Sequence, residues 1–188
     1  MAEECLRLAG EAVVRGHDDP VALCWGGLAR IYLGHELEVT AELVDRSLTL
    51  NPNSATGWYA SGLACISLGN PNAAMQRFDQ AARLNPKDPA GHAYFTSYAL
   101  AAFLCNRLSD ALRLSNKALA SHPNFLPALR VKAASLAMLE QADKAAFTVE
   151  KIRLLDPRTR LENVGDRMIK LTRPHFELYC AGLRKAGF

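Results

Sequence analysis

The sequence has 188 residues, of which 49% are hydrophobic and 22% charged, with a formal net charge of +3. A chain of this length buries a sizeable core. It contains no apolar run near the ~20 residues of a membrane span, its acidic start (Met-Ala-Glu-Glu) is wrong for a secretory signal, and its charge is too small to point to nucleic acid. Five cysteines, an odd number spread far apart, fit reduced, buried thiols in a cytoplasmic protein better than disulfides or zinc.

The chain opens with an amphipathic stretch over residues 2–16, in which Cys5, Ala9 and Ala12 repeat the spacing of Ala74, Phe78 and Ala81 further on. This reads as the second helix of a repeat whose first helix is missing, and predicts that the chain is a piece of a longer polypeptide. Asp19-Pro20 then offers an N-cap followed by the residue best suited to the first helical position. A first full repeat spans 21–52, with Cys24, Leu28, Thr40, Val44 and Ser47 at its pattern positions.

The clearest repeat is 55–86. Trp58 is followed by Gly62, then by Ala74, Phe78, Ala81 and Pro86, with Gly69-Asn70-Pro71 as the internal turn. Two antiparallel helices approach closely only where small side chains line the contact, and Pro86 stops the second helix because it lacks an N–H and clashes with the preceding turn. By this reading Trp58 is a buried packing residue. Pro52 lies 34 residues before Pro86, which fixes the period.

A third pair, 89–123, is opened by Asp88-Pro89 and carries Ala111, Ser115 and Ala118. Pro123 comes 37 residues after Pro86, and the three extra residues are expected in a lengthened first helix, 92–106. The fourth pair, 126–157, returns to 34 residues, with Leu129, Ala133, Ala145, Val149 and Ile152 in the pattern. Residues 158–188 do not repeat. They predict a helix over 160–170, a break at Arg173-Pro174 and a helix over 174–185 with Phe176, Tyr179, Cys180 and Leu183 inward. No strand-like alternation occurs.

Over residues 2–157 the aromatic–small–small–aromatic–proline spacing resembles the tetratricopeptide repeat (TPR) family. The expected fold is all-α: a right-handed helical solenoid of about four helix pairs in a single domain, residues 1–188, with a leading half repeat and capping helices at 158–188. Residues 85–188, through NPKDPAGHAYFTSYALAAFLCNRLSDALRLSNKAL, HPNFLPALRVKAASLAMLEQADKA and RPHFELYCAGLRKAGF, also resemble the C-terminal repeat region of bacterial class III adenylate cyclases and related winged-helix regulators. That resemblance implies a regulatory module behind an effector domain. It implies no cyclase activity, since no catalytic segment is present.

No glycine-rich phosphate loop, metal-ligand spacing or nucleophile–base cluster appears, so the expected catalytic, cofactor and metal residues are none. Thr148-x-x-Lys151 is a chance match on an expected exposed face. In TPR pairs the first helix lines the inner, concave wall, which places Trp25, Tyr32, Tyr59, Leu63, Ile66, Ser97, Leu100, Arg130 and Met138 there. Only Arg130 has the chemistry of a carboxylate clamp. The wall is otherwise apolar and aromatic, as for a peptide anchored by rigid rings. The competing reading is that the chain covers this wall itself, with its basic C-terminal segment or with a second copy in a homodimer. Residues 151–188 carry 9 basic and 4 acidic side chains, read as a solvated helical face. The expected function is a non-catalytic protein-interaction or oligomerisation scaffold with a protein or peptide partner; the alternative is the regulatory module of a cyclase or transcription regulator.

Overall fold

A computed structural model describes residues 2–86 and 91–188. Among these residues the chain is helical with no strand: α1 (Ala2–Arg15), α2 (Pro20–Leu33), α3 (Leu37–Leu50), α4 (Ala55–Ser67), α5 (Pro71–Leu84), α6 (Gly91–Leu104), α7 (Leu108–Ser121), α8 (Leu126–Met138), α9 (Ala142–Leu155), a 3-10 helix at Leu161–Arg167, and α10 (Arg173–Lys185). The chain falls into two compact units. One comprises 1–86 with Ile169–Thr172; the other comprises 87–168 with Arg173–Phe188.

Local chemistry sets the helix ends. Asp19 accepts a hydrogen bond from the Val21 amide at 2.8 Å, and Pro20 takes the first helical position. Asn70 accepts from the Ala73 amide at 3.2 Å, again ahead of a proline. Each pair then closes on small residues. A Cβ built on Gly62 would lie 2.4 Å from the fully buried Phe78 ring, so α4 and α5 approach to a distance that only glycine allows. Ala74 and Ala81, flanking Phe78, are also buried.

In the second unit the core of the fourth pair is Leu129, Ala133, Leu136, Val149 and Ile152, to which Ala186 adds from beyond α10. There His92 takes the place of Trp58. Its ring stacks on His122 at 3.7 Å and meets Phe125 edge-on at 4.7 Å.

Several expectations need correction. Trp58 is only half-buried: its indole N–H donates to the Pro52 carbonyl at 2.8 Å and the Arg77 guanidinium lies 5.0 Å from the ring centre. The first helix of the third pair, expected over 92–106, is described over Gly91–Leu104 and stops two residues short of that expectation at its C-terminal end. The expected Asp88-Pro89 cap lies outside the described residues.

The helix expected over 160–170 is a 3-10 helix ending at Arg167, followed by extended chain. Asn163, Gly165 and Asp166 are poor α-formers, and the Asn163 side chain caps the Arg160 amide at 2.9 Å instead of facing outward. Thr148 is buried, not exposed, and donates to the Lys144 carbonyl at 2.7 Å. Not all thiols are buried either: Cys24 and Cys180 are, Cys65 and Cys105 are half-buried, and Cys5 is exposed.

Candidate interaction surface

The first helices of the pairs are α2, α4, α6 and α8, and the nine residues expected on their inner faces meet different fates. In the first unit Trp25 and Tyr32 stand 59% and 51% exposed. Seven residues separate them, two helical turns, so they share one face of α2. Tyr59 on α4 joins them, its hydroxyl 3.0 Å from that of Tyr32, and its half-buried ring sits 6.0 Å from Phe78. The hydroxyl contact ties the two helices together.

Leu63 and Ile66, expected beside Tyr59, are buried at 1% and 0% exposure. α4 packs against α2, α3 and α5, so only a narrow strip of it reaches solvent. Both residues belong to the core.

Sequence reasoning missed the other side of this surface. An apolar cleft of about 470 Å³ runs between α1 and α2, with Cys5, Leu8, Ala9 and Ala12 on one wall and Trp25 and Ala29 on the other. Leu8 is 51% exposed. The signal is present in the small-residue spacing of α1, which the repeat pattern accounts for as packing. Glu4 edges the cleft. It and Glu11 flank Arg7 in a pair of ion pairs, and the Arg7 guanidinium holds the Glu4 carboxyl below its ordinary range.

In the second unit the corresponding face is filled. α10 packs on α8 and α6. Tyr179 meets Phe103 edge-on at 5.8 Å. A Cβ built on Gly182 would lie 2.8 Å from Phe103 and 3.1 Å from the Ala134 methyl, so the glycine sets how closely α10 seats. Leu100 and Arg130 are buried, not exposed as expected, while Ser97 and Met138 are half-buried. Ser97 donates to the Ala93 carbonyl at 3.1 Å. Burial pushes the Tyr179 phenol well above its ordinary value, with the positive charge of Arg130 opposing that shift. An arginine enclosed beside a buried phenol has lost the access that a carboxylate clamp requires. The self-covering segment weighed from the sequence is thus α10, and it covers the second unit's face.

The basic C-terminal side chains are mostly engaged within the chain. Arg153 pairs with Glu150 and donates to the Gly187 carbonyl, Arg173 pairs with Glu177, and Lys185 pairs with Glu140 at 2.5 Å. Among the described residues no group of three or more His, Cys, Asp or Glu side chains is arranged to hold a metal ion, and no helix is long and apolar enough to cross a membrane.

No family model and no curated protein matches the chain. Solved structures do. A MamA fragment, residues 41 to the end, from Desulfovibrio magneticus RS-1 superposes with a TM-score of 0.67 at 20% identity, covering 83% of this chain and 86% of that one. A MamA crystal structure gives 0.64 at 16% identity, covering 81% of each chain. YrrB, described as a TPR protein with an unusual peptide-binding site, gives 0.64 at 19% identity over 95% of this chain and 90% of its own. At such identities the likeness is one of fold: this chain has the helical-repeat fold of TPR proteins.

Proposed function

We propose that this chain is a non-catalytic protein-interaction module, acting as one domain over residues 1–188 in the cytoplasm, and that its partner surface is the aromatic face of the first unit. One observation carries the reading. Trp25 and Tyr32 stand side by side and more than half exposed, next to an apolar cleft, while the matching face of the second unit is occupied by α10. Rigid, amphipathic rings anchor a partner at low entropic cost. The fold shared with YrrB, itself described as having a peptide-binding site, agrees with this use. The partner is a protein or peptide, and homodimerisation through the same face is the other form this reading takes.

Of the residues expected from sequence, Trp25, Tyr32 and Tyr59 are retained as contacts, and the half-buried Ser97 and Met138 are secondary. The narrower resemblance of 85–188 to the repeat region of adenylate cyclases gains nothing from the comparisons, and no observation favours a cyclase-linked role.

The test is the double variant Trp25→Glu, Tyr32→Glu, followed by light scattering and by capture of partners from the source cells. Loss of self-association or of captured partners, at unchanged helicity, is the expected result. A variant indistinguishable from wild type in both assays removes the reading.

A further inference from the structure

A second cleft, of about 390 Å³, lies in the second unit among α7, α8 and α9. Each helix contributes a pair spaced four residues apart and therefore on one face: Leu112 and Asn116, Lys132 and Leu136, Lys144 and Thr148. Lys132 stands two positions, about 200° of helix, from Arg130. The cleft therefore opens on the side of α8 away from the face that α10 covers.

Its chemistry is cationic and apolar together. Leu112 and Leu136 line it, and Phe147, 76% exposed, stands at its mouth. Lys132 is half-buried; burial and, secondarily, the charge of Lys151 hold its ammonium below its ordinary pKa, with no carboxylate acting against them. Lys144 lines the cleft and donates to the Gln141 side-chain oxygen at 3.0 Å. Gln141 is the N-cap of α9 and makes no side-chain capping bond, so the positive end of a 14-residue helix also borders the space. Asp143, exposed on the rim, is the one acidic group among the lining residues. The surrounding unit is basic overall, with 15 Lys and Arg against 9 Asp and Glu.

A half-buried ammonium with a second positive charge acting on it, and Lys144 also lining the cleft, favours the approach of an anion. The cleft supplies what such an anion's carrier needs: amide donors from Asn116, a helix N-terminus and an apolar floor. The Asp143 carboxylate on the rim opposes a doubly charged phosphate more than a singly charged carboxylate, and the leucine and phenylalanine lining calls for an apolar neighbour to the charge. We propose that the cleft among α7, α8 and α9 binds an acidic peptide segment in which a carboxylate side chain is flanked by a large apolar one.

The test is a titration of the ¹⁵N-labelled full chain with N-acetyl-Leu-Glu-Phe-Glu-amide, with its Gln-for-Glu counterpart, and with phenyl phosphate. The Glu peptide should bind about tenfold or more tightly than the Gln peptide, the difference expected for a hydrogen bond to a charged group. It should shift amides within 112–116, 132–136 and 141–148, and weaken as salt is raised. Lys132→Met should abolish the preference while keeping or raising the thermal midpoint; Lys132→Gln serves if the Met variant does not fold. Equal affinity for the two peptides, shifts confined to other parts of the chain, or tighter binding of phenyl phosphate would each overturn the proposal. The Trp25→Glu, Tyr32→Glu variant should bind the Glu peptide as wild type does, so this site and the aromatic face stand or fall separately.

Discussion

The two units are built from the same helix pairs and end differently. In the first, the first-helix face offers Trp25 and Tyr32 to solvent. In the second, α10 is drawn across it, with Tyr179, Cys180 and Leu183 turned inward. A helix pair of this kind leaves one apolar face unsatisfied, and a neighbour must cover it. The second unit meets that need from its own chain, and the first leaves part of it open. The comparison separates packing from recognition: where residues of one register are buried in one unit and exposed in the other, the exposed ones are candidates for a partner.

The comparison is broken most directly by releasing α10. Leu183 is fully buried, and Leu183→Ala should cost about 2–5 kcal/mol. Thiol labelling shows whether the loss is local. Cys180 lies on α10 at 8% exposure, and Cys24 lies in the first unit at 2%. Burial pushes the Cys24 thiol up to about 11, so it stays protonated and slow to alkylate at mildly alkaline pH. The folded value exceeds the ordinary 9.0 of the thiol, so the stabilising contribution of neutral Cys24 is present below pH 9 and fades as the pH climbs toward 11. In Leu183→Ala, Cys180 should become fast while Cys24 stays slow. If both accelerate together, the two units do not open independently.

Next in size is a pair of truncations within the first unit. Phe78 is fully buried against Gly62, and Phe78→Ala should cost about 3–5 kcal/mol. Trp58, the residue whose spacing stands out most in the sequence, is half-buried and held by one hydrogen bond and one cation–π contact. Trp58→Ala should cost about 2 kcal/mol, near the sum of modest burial, the bond and the contact. Urea unfolding of the two variants ranks them; a larger loss for Trp58 would mean that the ring is more enclosed than its exposure indicates. Trp25→Ala and Tyr32→Ala should each fall within about 0.5 kcal/mol of wild type, as exposed positions do. A larger loss would make these rings part of the fold and not of a partner site.

Much of this fold is legible in the sequence because its determinants are local. The 34-residue spacing of Pro52 and Pro86, the Asp19-Pro20 and Asn70-Pro71 caps and the Gly62–Phe78 match act within one helix pair, and the pattern records them directly. What escapes is set by contacts distant along the chain. Nothing in the periodicity of α6 or α8 announces that Gly182 will let α10 seat on Phe103 and Ala134, so Leu100 and Arg130 read as groove residues. The burial of Leu63 and Ile66 follows from α4 having helices on three sides, which a helical count on one element does not contain. The cleft at α1 and α2 was hidden for the opposite reason: small residues at packing positions read as core even where no helix comes to cover them.

The smallest expected effect concerns the turns inside the pairs. At the position that follows the first helix of each pair, the first unit places Gly34 and Gly69 in the left-handed region, with φ of 63° and 83°, and Glu36 is also left-handed at φ 43°. The second unit uses Asn106 and Glu140, both at φ 58°, where a residue with a Cβ is strained by about 1 kcal/mol. Glu140→Gly relieves that strain, but it gives up the exposed ion pair with Lys185 on α10 and raises the entropy of the unfolded chain. These terms nearly cancel, so stability should change by less than about 0.5 kcal/mol. Glu140→Ala loses the same ion pair without relieving the strain, and should fall about 0.5 kcal/mol below Glu140→Gly in urea unfolding, the strain less the entropy that glycine adds to the unfolded chain. Because the ion pair is absent from both variants, their difference isolates the backbone. If the two unfold alike, the turn does not hold the left-handed conformation, and the contrast between Gly34 and Gly69 of the first unit and Asn106 and Glu140 of the second carries no energetic weight.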